Sequence, residues 1–163
     1  MGKNRKVVPR DTSRARLATR MAVPILGLVG MGISSYLTYV HWTGEEAVCL
    51  PLTDCTTVLT SPYAEVWGVP LSLLGLLMYT LLTGLGFWLL RTKDGGQGLI
   101  ALVTYAVALT GTLYSAYLFY LEAFEIHAFC PWCLASGLVV VTILVLSLRS
   151  LFPAGRQPTK ARA

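Results

Sequence analysis

The sequence has few charged residues and almost none across four long apolar runs. Charged residues make up 13% of the chain, about half the share that is typical of a soluble domain. Each run is about 22 residues long, enough for a helix to cross the hydrocarbon core of a membrane. A soluble bundle needs charged outer faces, which these runs lack. The runs are Met21–Trp42, Val69–Leu90, Leu99–Leu121 and Pro131–Phe152.

These runs predict an all-α integral membrane protein, folded as a four-transmembrane-helix bundle. We predict a catalytic membrane domain at 21–152, a basic cytoplasmic tail at 1–20 and a second cytoplasmic tail at 153–163. The basic start followed by an apolar run is also typical of a signal peptide. However, this run is longer than a signal-peptide core and continues into "SSYLTYVHW" without a small-residue cleavage site. We therefore expect the first run to be retained as a membrane helix.

Two of the connections between runs lack positive charge. The connections at 43–68 and 122–130 contain no Lys or Arg, and all 13 basic residues lie elsewhere. Short cytoplasmic loops are enriched in Lys and Arg, so we expect both termini in the cytoplasm and these two connections outside. The net charge of +5 is explained by this topology and by anionic lipid headgroups. No fold or aromatic pattern indicates a nucleic-acid partner.

The sequence contains only four cysteines, and the predicted topology puts all of them outside. Cys49 and Cys55 lie in the first outside connection, whereas Cys130 and Cys133 lie at the outer end of the fourth run. Disulfides form and persist in such a compartment, so two neighbouring pairs predict thiol–disulfide exchange. One alternative is a non-enzymatic membrane subunit whose disulfides only brace its loops. Another is a zinc site of four thiolates, which disulfide formation on this side opposes, so we predict no metal.

Both cysteine pairs lie where a helix is predicted to begin. In "FCPWC", Pro131 suits the first helical position, which makes Cys130 the N-cap and puts Cys133 in the first turn. In "DCTTVL", Asp54 suits the N-cap position and puts Cys55 in a first turn. The positive end of a helix dipole lowers the pKa of a thiol there and favours the thiolate, which is the species that attacks a disulfide.

A membrane dithiol relay needs an electron acceptor, and the sequence favours a quinone. It has no GxGxxG motif for a nicotinamide and only two histidines, which disfavours haem. A quinone needs only an apolar, aromatic-rich pocket with a few polar groups. We predict that "SPYAEVWG" in the first outside connection is a short interfacial helix that covers such a pocket next to Cys133, although aromatic residues here also fit an interfacial belt. The candidate quinone-binding residues are Ser61, Tyr63, Trp67, Tyr117 and Leu134.

The order of these motifs is similar to that of a known family. A loop cysteine pair is followed by "VLTSPYAEVWGVPLSLLGLLMYTLL", then by a further apolar run, and then by "FCPWC" at the start of the last run. Over about residues 20–150, this order resembles the bacterial form of the vitamin K epoxide reductase family. The joint spacing carries the resemblance, since "CPWC" alone is a weak signal.

The resemblance implies a thiol–disulfide oxidoreductase of the bacterial cytoplasmic membrane. It implies that Cys49 and Cys55 exchange electrons with a thioredoxin-like extracytoplasmic protein. It further implies that Cys130 receives the electrons and that Cys133 lies nearest a quinone, either menaquinone or ubiquinone. Some bacterial members carry a fused thioredoxin-like domain, whereas this sequence ends at Ala163, so we expect the partner to be a separate protein.

The resemblance also bears on the substrate and on the nearest alternative. Ser61 in "TSPY" matches the Ser or Thr that the family keeps after the loop pair. Vertebrate members have a Tyr beyond the last motif cysteine that helps bind vitamin K, and "LASGLVVV" has none, which favours quinone reduction over epoxide reduction. A DsbB-type quinone reductase is the nearest alternative. That group carries its Cys-x-x-Cys in the first outside connection, so the order here favours the vitamin K family.

Overall fold

The computed structural model describes residues 10–45, 47–49, 54–92 and 97–151. The predicted tail at 153–163 and residues 1–9 of the other predicted tail lie outside these described residues. In chain order the elements are α1 (Arg10–Thr43), α2 (Cys55–Leu59), a 3₁₀ turn (Pro62–Ala64), β1 (Glu65–Val66), β2 (Val69–Pro70), α3 (Leu71–Arg91), α4 (Gln97–Leu121), a π-helical turn (Glu122–Ile126) and α5 (Pro131–Leu151).

Within the described residues, four helical stretches are long and apolar enough to cross a membrane. They confirm the four predicted membrane helices. Helix α1 packs against α3 and α5, and α4 packs against the same two helices, so the four form a closed bundle. The stretches are Met21–Thr43, Leu71–Arg91, Gly98–Ile126 and Pro131–Leu151.

The ends of several helices differ from the ends of the predicted runs. Helix α1 begins at Arg10, so the helix includes the second half of the predicted tail. Helix α3 begins at Leu71 rather than Val69, because Val69 and Pro70 form strand β2 and the residue before a proline disfavours helical geometry. The third span continues beyond α4 through the π-helical turn to Ile126. The apolar pattern located each candidate membrane span to within a few residues.

The segment "SPYAEVWG" does not form the predicted interfacial helix. Pro62–Ala64 form a 3₁₀ turn, and strands β1 and β2 follow it as an antiparallel hairpin. Trp67 and Gly68 form the turn of this hairpin with φ angles of 55° and 78°. Two-residue hairpin turns with positive φ match the twist of the strands, and glycine adopts such angles readily. The Ser–Pro start begins only the 3₁₀ turn Pro62–Ala64 rather than a longer helix, and the sequence analysis did not recognise the Trp–Gly pair as a hairpin turn.

A close contact between α1 and α3 fixes the centre of the bundle. Gly30 on α1 leaves room for the ring of Tyr79 on α3, which a Cβ at position 30 would overlap. Tyr79 is buried, and its hydroxyl donates a hydrogen bond to the carbonyl oxygen of Ser136 on α5 at 2.6 Å. The ring therefore connects three helices and has little freedom to move.

We predict that Gly30→Ala destabilises the bundle by roughly 1–3 kcal/mol, the usual cost of adding volume to a packed core. The matched control is Gly32→Ala on the same helix, since a Cβ there meets nothing within 4 Å. That change is expected to be neutral or slightly stabilising. Thermal unfolding in detergent measures both, and equal midpoints for the two variants would contradict the close contact.

Candidate functional site

The loop cysteines form a disulfide at the start of a capped helix. Cys49 and Cys55 are bonded, with their Cα atoms 6.2 Å apart. Asp54 is the N-cap of α2, and its carboxylate accepts hydrogen bonds from the backbone N–H of Thr57 at 3.0 Å and from the Thr57 hydroxyl. These hydrogen bonds from Thr57 lower the pKa of the Asp54 carboxyl. The predicted cap and the position of Cys55 in a first helical turn are confirmed.

The second pair lies at the start of α5 in the dithiol form. Pro131 is the first residue of the helix, as predicted, and Cys130 and Cys133 are free thiols. The Cys133 thiol donates a hydrogen bond to the sulfur of Cys130 at 2.8 Å, and the backbone N–H of Cys133 points to the same sulfur at 3.3 Å. The thiol hydrogen bond is the main cause that lowers the pKa of Cys130. The geometry therefore favours the thiolate at Cys130.

The two pairs meet in one buried cluster. Cys55 is 1% exposed and Cys130 is 0% exposed, and both belong to a cluster that includes Val58 of α2. Cys49 and Cys133 pack against this cluster and remain partly exposed. The structure thus brings together all four cysteines that the sequence analysis singled out.

Glu122 is a site residue that the sequence analysis counted only as a loop charge. It is 3% exposed, and its carboxylate accepts a hydrogen bond from the backbone N–H of Cys130 at 3.3 Å and also interacts with the Cys133 thiol. The π-helical turn that begins at Glu122 aims this side chain inward. The sequence did contain a signal for this role. Glu122 comes directly after an apolar run and eight residues before Cys130, and ionisable groups in membrane segments are usually functional.

A cavity of about 780 Å³ lies beside the helix pair. Its lining is mainly apolar and comes from all four long helices and from the segment before α3, and it includes Cys133 and Glu122. Ser72 also lines it, and the Ser72 hydroxyl is buried without a hydrogen-bond partner among the described residues. The volume and lining suit a drug-sized apolar ligand, and the unpaired hydroxyl suits a ligand carbonyl oxygen.

Three of the five predicted quinone-binding residues line this cavity, namely Ser61, Tyr63 and Leu134. The other two do not. Trp67 is 100% exposed, because it occupies the hairpin turn instead of a helix face. Tyr117 is half exposed on α4, where its ring contacts that of Tyr114 at a centroid distance of 6.1 Å. Tyr114 lines the cavity and Tyr117 does not.

The two histidines lie at separate positions near this end of the bundle. Nε2 of His41 is 3.3 Å from a carboxylate oxygen of Glu65, which connects α1 to the hairpin. His127 ends the π-helical turn in a left-handed conformation. In the part of the chain that the structure describes, no three His, Cys, Asp or Glu side chains form a group able to hold a metal ion.

Comparison with known proteins agrees with this arrangement. The model of the vitamin K epoxide reductase family matches residues 21–148, a region that contains all four cysteines. The chain belongs to the vitamin K epoxide reductase family. It is also 32% identical over 128 residues to the thiol-disulfide oxidoreductase LTO1 of Arabidopsis thaliana, across 72% of this chain and 33% of that protein. The chain therefore spans about a third of the length of this relative. This family membership favours the vitamin K epoxide reductase resemblance over the DsbB-type alternative.

The hydrogen bond from the Cys133 thiol leads to a prediction for Cys130. In a Cys49→Ser, Cys55→Ser background, we expect the Cys130 thiolate to form at lower pH than an ordinary cysteine thiolate. Cys133→Ala removes the donor, so the pKa of Cys130 should rise and its thiolate should appear only at higher pH. Ultraviolet absorbance of the thiolate during a pH titration measures this change. A titration that Cys133→Ala leaves unmoved would contradict the assignment of the donor.

The Glu122 hydrogen bond leads to a second prediction. Glu122→Ala leaves the buried N–H of Cys130 without an acceptor, which should destabilise the protein by about 1–3 kcal/mol. Glu122→Gln keeps an acceptor oxygen and should cost less. Glu125→Ala is the control, since Glu125 lies in the same turn and is exposed. If thermal unfolding in detergent shows equal losses for the two alanine variants, the role of Glu122 in holding the turn is wrong.

Proposed function

We propose that the protein is a membrane thiol–disulfide oxidoreductase that couples disulfide formation in a thioredoxin-like partner to reduction of a quinone. Electrons pass from the partner dithiol to Cys49–Cys55, then to Cys130–Cys133, and then to the quinone. The net reaction oxidises one dithiol to a disulfide and reduces one quinone to a quinol, with two electrons and two protons transferred. Family membership and the similarity to the thiol-disulfide oxidoreductase of Arabidopsis thaliana support thiol–disulfide chemistry.

The main support for this proposal is how the exposure of the four cysteines changes from Cys49, through Cys55 and Cys130, to Cys133. Cys49 is partly exposed, Cys55 and Cys130 are buried together, and Cys133 is partly exposed and lines the cavity. One end of the relay is thus open to a protein partner and the other to an apolar ligand. The inner two sulfurs are in contact with the buried cluster, where small thiols have little access.

Each transfer between the pairs is a thiol–disulfide exchange. The Cys55 thiolate attacks the sulfur of Cys130 in an oxidised helix pair, and Cys133 leaves as a thiolate at the cavity. Cys49 then attacks Cys55 in the mixed disulfide, which restores the loop disulfide and releases the Cys130 thiolate. The result is a loop disulfide with a helix dithiol, the same combination that the structure contains.

The residues around the cavity suit a quinone as the acceptor. When bound, the quinone accepts the two electrons and two protons that the helix dithiol gives up as it closes to a disulfide. Ser72 offers a buried hydroxyl to a carbonyl oxygen, and Ser61, Tyr63 and Leu134 contribute to the wall. We propose the same cavity for menaquinone and ubiquinone, since both combine a dicarbonyl ring with an apolar tail.

We propose that the cysteines face the extracytoplasmic side of a bacterial cytoplasmic membrane and that both termini face the cytoplasm. The charge distribution supports this orientation, because short cytoplasmic loops are rich in Lys and Arg. Helix α5 begins beside Cys130 and carries Arg149 in its last turn, about 24 Å from Cys133 at the helical rise. On this side of the membrane the partner would meet an oxidising compartment, which suits disulfide formation.

The alternative of a non-enzymatic subunit with bracing disulfides has less support. It gives no reason for Cys55 and Cys130 to share one buried cluster. It also gives no reason for Cys133 to line an apolar cavity.

The proposal predicts quinone-dependent oxidation of a reduced thioredoxin-like protein by the protein in detergent. Partner disulfide and quinol should form in equal amounts, and Cys133→Ser should abolish turnover. The control without quinone should oxidise at most the amount of partner that matches the enzyme's own disulfides. Quinone-independent turnover, or full activity of Cys133→Ser, would contradict the proposed function.

A further inference from the structure

Val48 is the residue before Cys49, and its backbone N–H and carbonyl groups form hydrogen bonds to two different membrane helices. The backbone N–H of Val48 donates a hydrogen bond to the hydroxyl of Tyr36 on α1 at 3.0 Å. The indole N–H of Trp132 on α5 donates a hydrogen bond to the carbonyl oxygen of Val48 at 2.9 Å. We call these two hydrogen bonds the Val48 clamp.

The two side chains of the Val48 clamp also contact each other. The rings of Tyr36 and Trp132 lie with centroids 5.1 Å apart and planes tilted by 50°, an arrangement that is favourable for aromatic pairs. The Val48 side chain itself is 75% exposed, so burial of its apolar surface does not hold the loop. Ala47 and Cys49 pack against the buried cluster, and the two backbone hydrogen bonds of Val48 add a directional attachment between them.

The two ends of the loop disulfide are held in different ways. Cys55 begins a capped helix and is buried against Cys130 in the shared cluster. Cys49 is only partly buried, and its chain neighbour Val48 is held by the clamp. Trp132 lies between Cys130 and Cys133 in sequence, so the residue that holds the loop belongs to the same helical turn as the acceptor pair.

We infer that Tyr36 and Trp132 are positioning residues for exchange between the two cysteine pairs. The inference rests on the proposed function, because it concerns the transfer from Cys55 to Cys130. Exchange needs the attacking sulfur close to and in line with the disulfide it attacks, and small misplacements slow such steps strongly. The Val48 clamp holds the loop backbone to the helical turn that contains Cys130. It thereby keeps Cys55 aligned with Cys130 for exchange.

A cross-linking experiment tests this without quinone or partner. In a Cys49→Ser, Cys133→Ser parent, only Cys55 and Cys130 remain. Diamide oxidises their two thiols to one disulfide and is itself reduced to the hydrazine, taking up two electrons and two protons. The rate of this cross-link, followed by mass spectrometry after quenching, reports how often the two sulfurs are in position.

Tyr36→Phe and Trp132→Phe each remove one clamp hydrogen bond and keep an aromatic ring. We expect each to slow the cross-link by about two- to tenfold, the factor that corresponds to one net hydrogen bond. The matched controls are Tyr39→Phe and Trp42→Phe, the same changes at exposed positions on α1. These controls should cross-link at the rate of the parent and keep its melting temperature. Each clamp variant should melt only slightly below the parent, as the loss of one hydrogen bond implies.

Two results would overturn the inference alone. Clamp variants that cross-link as fast as the parent would show that the hydrogen bonds do not position the pairs. A slower cross-link together with a fall in melting temperature larger than the loss of one hydrogen bond explains would show a general packing role instead. A parent that forms no cross-link between Cys55 and Cys130 would contradict the proposed transfer itself, so failure of the inference and failure of the proposed function are distinguishable.

Discussion

The packing of Cys55 against Cys130 in one buried cluster sets the conditions for the rest of this end of the bundle. Two sulfurs from distant parts of the chain meet only if the loop helix α2 and the start of α5 are held at fixed positions. The Asp54 cap orients α2, and Pro131 determines where α5 begins. Each local feature therefore contributes to the placement of Cys55 and Cys130 in one buried cluster.

Glu122 is the one charged side chain among the buried residues of the part of the chain that the structure describes. Placing a carboxylate near the hydrocarbon region is costly unless it has partners, and its partners here are the backbone N–H of Cys130 and the Cys133 thiol. The π-helical turn is what makes this possible, since such turns change the direction of side chains within a helix and occur often at functional sites. The chain thus uses an irregular turn to bring a polar group to the thiols.

The amino-acid sequence was sufficient to predict the features that depend on local pattern. Four apolar runs predicted the four spans, and the Asp54 cap and the helix start at Pro131 followed from residue preferences at helix starts. Features that depend on tertiary contact were not predictable in this way. Trp67 was assigned to a helix because Ser–Pro begins helices, whereas the Trp–Gly turn and pairing of β1 with β2 decided the fold. Likewise Tyr117 shares its aromatic character with Tyr114, but only the packing of α4 selects which ring lines the cavity.

The separation of the two ends of the site has a physical reason. A protein partner and a lipid-soluble ligand need different surroundings, one in contact with water and the other apolar, so a single cysteine pair cannot serve both without exposing its thiols to each. Two neighbouring pairs remove this conflict. Under the proposed function, the buried Cys55 and Cys130 pass electrons between the pairs, while the partly exposed Cys49 and Cys133 serve the protein partner and the apolar cavity. On that proposal, a helix dithiol beside a closed loop disulfide is the form in which electrons have reached the pair beside the cavity.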